Sequence, residues 1–170
     1  MKLPFFILIT FCVSCLAPTV HAFDTTYYLV RHAEKQSDGT HDPALTEAGV
    51  ARAQKIAKVL KGVKLNAIYS TDYKRTRSTA APVAAQTGLE VVLYDPRQGA
   101  FETFIASLKE LEGNILVVGH SNTTPVVAGV LSGQTLPELH EHQYDHMYIV
   151  TRKKGAEETL VIKYINPLTP

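Results

Sequence analysis

The chain has 170 residues, with 17 Lys and Arg against 16 Asp and Glu. So even a balance argues against a nucleic-acid or anionic-membrane binder working through bulk charge, and any anion site must come from a few converging cations. The length fits one domain, and no repeat, low-complexity tract or linker-like segment divides it.

The first segment reads as a leader. Lys2 supplies a short positive region, Leu3 to Ala17 is mostly apolar, and "TVHA" follows with Val20 and Ala22 at the positions a signal peptidase reads. Residues 1–22 are therefore expected to be a secretory signal peptide and 23–170 the mature domain, periplasmic or secreted. The apolar run is too short and wrongly flanked for a membrane span, which needs roughly 20 apolar residues. Cys15 follows "CVS", a faint likeness to a lipoprotein cleavage site that keeps a lipid anchor at Cys15 open as a variant. Cys12 and Cys15 both fall within the leader, so the mature domain has no thiol or disulfide and must be held by a packed core.

Beyond the leader, short β-branched or aromatic runs alternate with helical patterns. Thr25–Val30 reads as a strand that ends on Arg31 and His32. A helix follows in "ALTEAGVARAQKIAKVLKG". Thr46 is its expected cap and Glu47 opens its first turn; Leu45 and Val50 should form a hydrophobic staple, and Val50, Ala53, Ala57 and Leu60 the buried stripe, before Gly62 ends it. Ala67–Ser70 is the next strand. A helix from about Asp72 to Gly88 follows, which Pro82 should kink or interrupt. Then come a strand at Glu90–Tyr94, a helix at Phe101–Leu111, a strand at Ile115–Val118 and a short helix with Pro125 in its first turn. Strands at Met147–Thr151 and Leu160–Ile165 complete the chain. This alternation predicts an α/β layer with a largely parallel sheet, in which ligands bind at the carboxyl ends of the strands.

That rule gives the ends of three strands a meaning. Arg31 and His32 end the first, His120 follows the apolar run Ile115–Val118 and Gly119, and Arg75 falls in the first turn of the helix after Ser70. Arg75 thus joins a helix N-terminus, where free N–H groups and the dipole favour an anion. Two guanidinium forks suit phosphate oxygens. A neutral imidazole can attack phosphorus, and nearby cations both lower its pKa and stabilise the charge that develops.

"LVRHAEK", "LTEAGVARA", "YSTDYKRTRSTA" and "VVGHSNTTP" occur in the order and spacing of the histidine phosphatase superfamily, and "YDHMYIVT" resembles a strand of its short members. The chain resembles the phosphoglycerate-mutase-like branch in a short form. The resemblance implies a three-layer α/β/α sandwich and a phosphomonoesterase that needs no metal or cofactor. In it His32 becomes phosphohistidine, and Arg31, Arg75 and His120 hold the phosphoryl group. Ser121 and Asn122 stand where glycines are often found after the second histidine and are expected at the pocket rim. The acid phosphatase branch has an Asp directly after the second histidine, where this chain has Ser121. The mutase-like branch takes its acid from the loop after the third strand, which here offers Asp95 and Glu102 as equals, with Asp42 behind them.

The other polar features have plainer readings. Glu34 and Lys35 read as a mouth ion pair or rim charges, with proton transfer by Glu34 open. Arg77 reads as a solvated helix residue and Thr79 as a packing residue. His140, His142 and His146 have spacings that can bind zinc but read as surface or rim histidines. The expected partner is a small phosphorylated molecule or a phosphoprotein. The rival readings are a catalytically silent phosphate-group binder and, behind it, a periplasmic metal-binding protein using His140–His146.

Overall fold

A computed structural model describes residues 24–153 and 156–165. The leader and Cys15 lie outside the described residues. Six strands form one sheet: β1 (Thr25–Arg31), β2 (Leu65–Thr71), β3 (Val91–Tyr94), β4 (Gly113–Gly119), β5 (His146–Arg152) and β6 (Thr159–Tyr164). Four helices intervene: α1 (Glu47–Val59), α2 (Lys74–Thr87), α3 (Ala100–Leu108) and α4 (Thr123–Ser132).

The sheet order is β3-β2-β4-β1-β5-β6. β3, β2, β4 and β1 run parallel, while β5 pairs antiparallel with β1 and β6 antiparallel with β5. The central strands are almost wholly apolar because both of their faces are covered. Tyr27, Leu29, Ile115 and Val117 pack with Phe104, Ile105 and Leu108 of α3 and Val127, Ala128 and Leu131 of α4. Their neighbours Val30, Leu116 and Val118 point the other way, into a cluster with Ile56, Ala57 and Leu60 beside α1 and Ala80 and Val83 of α2. The period-two alternation of side chains thus divides the core into two layers and produces the α/β/α sandwich expected from the motifs.

Two helix details depart from the sequence reading. Thr46 does cap α1, its Oγ1 accepting from the Gly49 N–H at 3.1 Å. Val50, however, is 51% exposed and belongs to neither staple nor stripe. The inward line is Gly49, Arg52, Ala53, Ile56 and Ala57. Gly49 sets it, because a Cβ there would stand 2.2 Å from the Glu34 carbonyl oxygen, so the residue against the strand end must be glycine and Val50 is turned outward. Nor does Pro82 interrupt α2, which runs unbroken from Lys74 to Thr87. Pro82 deprives the Ser78 carbonyl of a donor, but Ser78 is exposed and water can serve that oxygen. α3 and α4 match their expected positions, α3 ending earlier at Leu108 and α4 beginning at Thr123 with Pro125 in its first turn.

Candidate active site

The parallel register sets Arg31 of β1 opposite Gly119 of β4, so the residues that follow, His32 and His120, leave the sheet side by side. The His32 N–H donates to the Gly119 carbonyl at 2.9 Å, tying the two strand ends together. The imidazole rings lie with centroids 5.5 Å apart, edge to face. Gly119 makes this approach possible: a Cβ on it would come within 3.0 Å of Thr123 Oγ1, Tyr94 OH and Thr124 Oγ1.

The segment after β1 is clamped on both sides. Ala33 N–H donates to Thr79 Oγ1 of α2 at 2.9 Å, and Thr46 N–H donates to the Glu34 carbonyl at 2.9 Å. Thr79, read as a packing residue, is thus also an anchor for the strand end. The Glu34 carboxylate turns away from the two histidines and takes three bonds from Arg52, at 2.6, 2.9 and 3.0 Å. Arg52 is 5% exposed and also donates to the Ile165 carbonyl. Burial opposes ionisation of Glu34, but the Arg52 hydrogen bonds outweigh it and hold the carboxyl below its ordinary range. Glu34 is therefore half of a structural ion pair. Lys35 pairs with Glu141, at 3.6 Å, rather than with Glu34.

His32 is 3% exposed. Its Nδ1 lies 2.8 Å from the Ala33 carbonyl, which can only accept, so Nδ1 carries the proton and Nε2 keeps its lone pair. Burial pushes the pKa of His32 down to about 3, helped by Arg31, His120 and Arg75 and opposed by the bond to Ala33. His120 is pushed down to about 4 by burial and then by Arg75 and Arg31. Its Nε2 is 2.9 Å from Thr71 Oγ1, whose own proton goes to Thr76 Oγ1 at 3.0 Å, so His120 is the donor to Thr71.

The two arginines flank this pair. Arg31 Nη1 donates to the carbonyls of His140 at 2.9 Å, Glu141 at 3.0 Å and Gln143 at 3.3 Å, and its guanidinium lies over the Tyr144 ring at 4.2 Å. Arg75 stacks on Tyr73 at 4.3 Å. Three buried N–H groups, Arg31 Nε and Arg75 Nε and Nη1, have no hydrogen-bond partner among the described residues. Unpaired buried donors are costly and suit an oxyanion with several acceptors.

A cleft of about 370 Å³ opens over Arg31, His32, Arg75 and His120, and Ser121 and Asn122 line it as expected. The expected acids do not line this cleft themselves, though Asp95 lines a pocket that adjoins it at Tyr73 and Pro96. Asp95 is bound to Arg97 by bonds that hold its carboxyl below the ordinary range. Glu102 caps its own helix by accepting from Gly99 N–H. Asp42 accepts from Lys74 N–H at 2.9 Å, serving the start of α2, and stands 3.6 Å from Arg75. Sequence reasoning missed Glu141, a carboxylate that does line the cleft, because it lies in an irregular loop outside every motif. It also missed Tyr73 and Tyr144, the ring platforms under the arginines. Arg77 is an exposed partner of Asp72, as a solvated helix residue should be. The histidine cluster is dispersed: His146 Nδ1 pairs with Asp145 at 2.8 Å and its ring packs on Tyr164. Among the described residues no three His, Cys, Asp or Glu side chains are placed to hold a metal ion, and no helix is long and apolar enough to cross a membrane.

Residues 27–97 match the family model of the histidine phosphatase superfamily, branch 1. The 71 matched residues carry the chain's likeness to this superfamily. Among curated relatives, one named "Probable phosphoglycerate mutase GpmB", from Cronobacter sakazakii, is 35% identical over 102 residues, covering 56% of this chain and 42% of the relative. Phosphoserine phosphatase 1 of Hydrogenobacter thermophilus is 40% identical over 73 residues, covering 39% of this chain and 35% of the relative. The matches therefore span less than half the length of these curated relatives. The solved structure of the protein histidine phosphatase SixA complexed with tungstate is similar at TM-score 0.67 and 19% identity, over 83% of this chain and 96% of that one. Phosphoserine phosphatase from Entamoeba histolytica, in complex with 3-phosphoglyceric acid, is similar at TM-score 0.64 and 16% identity, over 85% of this chain and all of that one. These two likenesses show a shared fold.

Proposed function

We propose that the protein is an exported phosphomonoesterase that works through a phosphohistidine on His32. The observation that carries this reading is the state of that ring. Its Nδ1–H is fixed on the Ala33 carbonyl, its Nε2 lone pair is available, and the buried Nε of Arg31 and Nε and Nη1 of Arg75 have no hydrogen-bond partner among the described residues. A neutral nucleophile beside cations that await an oxyanion suits phosphoryl transfer. Nε2 attacks phosphorus, Arg31 and Arg75 take up charge on the equatorial oxygens, His120 joins them once the bound anion's charge favours a proton on its Nδ1, and water then releases phosphate and restores the imidazole. Ser121 and Asn122 contact the substrate at the rim. The substrate class is a small phosphorylated molecule or a phosphoprotein, and the reading of residues 1–22 as a signal peptide places the mature domain outside the cytoplasm.

The test uses the protein lacking residues 1–22 and 4-nitrophenyl phosphate. Steady release of phosphate, a base-stable and acid-labile adduct on His32 by mass spectrometry, and loss of both in His32→Ala are expected. Full activity in His32→Ala would overturn the nucleophile. Tight vanadate binding without turnover would instead support the silent binder. The name of the Cronobacter relative favours a mutase as the second reading. A phosphoenzyme that passes its phosphoryl group to a sugar or glycerate acceptor faster than to water would establish that reading.

A further inference from the structure

We propose that the groove between α1 and α2 docks an acidic, extended segment of a partner polypeptide. The groove has a volume of about 510 Å³. Its α1 side carries Lys55, Lys58 and Lys61 around Ala57, and its α2 side carries Pro82 and Gln86. Among the described residues no carboxylate lines it, and none of the three lysines takes part in an ion pair. In a chain whose charges nearly balance, this is a local excess of positive charge. Lys58 suits the carboxyl-terminal turn of α1, where the helix dipole favours a cation. The dipole does not account for Lys55, a turn earlier, or for the concave surface that the lysines share.

The spacing of the groups fits a polypeptide. Residues three apart on a helix stand roughly 5–6 Å apart at Cβ, so the lysines form a row of cations at about that step. Side chains on one face of an extended chain recur every ~6.6 Å, and flexible lysine stems absorb the difference. Carboxylates at alternate positions of such a chain can therefore meet one lysine each. The opposite wall supplies an acceptor. Pro82 has no N–H, so the Ser78 carbonyl, one turn behind it on the same row of α2, lacks its helical donor. A backbone N–H of an extended ligand can serve that oxygen. Val50, on the row of α1 that leads to Lys58, is 51% exposed and can be covered by an apolar residue at one end of the ligand.

Carboxylates, N–H donors and an apolar end together describe a peptide. A bilayer is a poorer match, because binding in its interface calls for an apolar face that inserts, and here the apolar atoms lie between polar walls. The groove is also separate from the proposed chemistry. Both helices start at the carboxyl edge of the sheet, but the groove lies along their second halves and shares no lining residue with the cleft. A partner held there leaves the cleft open, and the inference holds or fails independently of the phosphohistidine reading.

The experiment titrates the protein into a fluorescein-labelled peptide of alternating glutamate and serine with leucine at each end, and reads anisotropy. Binding should appear below about 1 mM at low salt and weaken as salt screens the lysines. The same peptide with glutamine for glutamate should not bind. Combining Lys55→Gln, Lys58→Gln and Lys61→Gln should raise Kd about 10-fold, since exposed ion pairs are each modest. Pro82→Ala returns a donor to the Ser78 carbonyl and should raise Kd about 5-fold. Gln86→Glu sets a like charge in the groove at an exposed position, should raise Kd by a similar factor, and decides the matter if the triple variant unfolds in a urea melt. No binding at about 1 mM peptide, equal binding of the glutamine peptide, or an unchanged Kd in any folded variant overturns the proposal. So does tighter, lysine-dependent binding to vesicles of phosphatidylglycerol and phosphatidylcholine, which would assign the groove to a lipid surface. A lysine-dependent dimer by light scattering would overturn it in favour of a second copy of the chain.

Discussion

The two buried imidazoles make the protein's acid stability a test of the site. His32→Asn is the informative change, because the Asn amide can still donate to the Ala33 carbonyl but does not titrate. With the His32 pKa near 6.5 in the unfolded chain and about 3 in the folded one, the unfolded chain binds a proton between those values and the folded chain does not. Stability therefore rises with pH across that window: the contribution is fully present above about 6.5 and is lost as pH falls toward about 3. At roughly 1.4 kcal/mol per pH unit, moving from pH 7 to 4.5 removes about 2.5 kcal/mol through His32. His120, at about 4, removes a further ~2 kcal/mol by the same reasoning. Together they approach the whole stability of a small domain, typically about 5–15 kcal/mol. Urea unfolding at both pH values measures this. His32→Asn should lose about 2.5 kcal/mol less than the parent on acidification, and His120→Gln about 2 kcal/mol less. If the parent and His32→Asn lose the same amount, the ring is not buried neutral. If the variant loses more, the folded pKa is raised rather than lowered and the nucleophile argument fails with it.

Other perturbations separate scaffold from chemistry. Glu34→Gln leaves the Arg52 guanidinium, 5% exposed, without its counter-charge. It should cost about 3 kcal/mol in a denaturant melt, and unchanged stability would show that the pair does not hold the strand end to α1. Gly49→Ala sets a methyl 2.2 Å from the Glu34 carbonyl oxygen, a backbone atom that cannot turn aside. It should cost about 2 kcal/mol and lower Tm by several degrees, and a neutral result would mean that α1 shifts freely against the strand end. Inorganic phosphate should raise Tm by linkage, by about 2.7 kcal/mol of stability at 100 times its Kd, and Arg75→Met should abolish most of that shift. A full shift in Arg75→Met would remove Arg75 from the anion site.

The strands and their order of chemistry were legible because both signals are local. An apolar run bounded by turn residues needs a parallel sheet covered on both faces, and the residue after such a run lies at the ligand edge whatever the helices do. That is why Arg31, His32 and His120 could be placed from sequence, with Arg75 at a helix start. Ala53, Ala57 and Leu60 of the α1 stripe are buried as expected, and only Val50 departs, because Gly49 and Arg52 look wrong for a buried face. Each is explained only by a partner distant in sequence, the Glu34 carbonyl for one and the Glu34 carboxylate for the other. The partners of the candidate acids were hidden for a related reason: the hydrogen bonds of Asp95 with Arg97 and of Glu102 with Gly99 cannot be read from spacing alone.

The two arginines, alike in sequence, are set apart by their partners, and this bears on where specificity arises. Arg75 has two buried nitrogens, Nε and Nη1, without hydrogen-bond partners among the described residues and a tyrosine ring beneath it, so its main contribution is to an anion. Arg31 divides its donors: Nη1 closes the 140–143 loop by its carbonyls while buried Nε remains for an anion. One planar guanidinium cannot move toward a phosphate without moving the carbonyls it holds. Phosphate binding and the position of the loop bearing Glu141 are thereby mechanically joined. On the proposed phosphomonoesterase reading, the strand ends would hold the phosphoryl group that all such substrates share. The 140–143 loop, which carries the mouth carboxylate, is the part that can distinguish one leaving group from another.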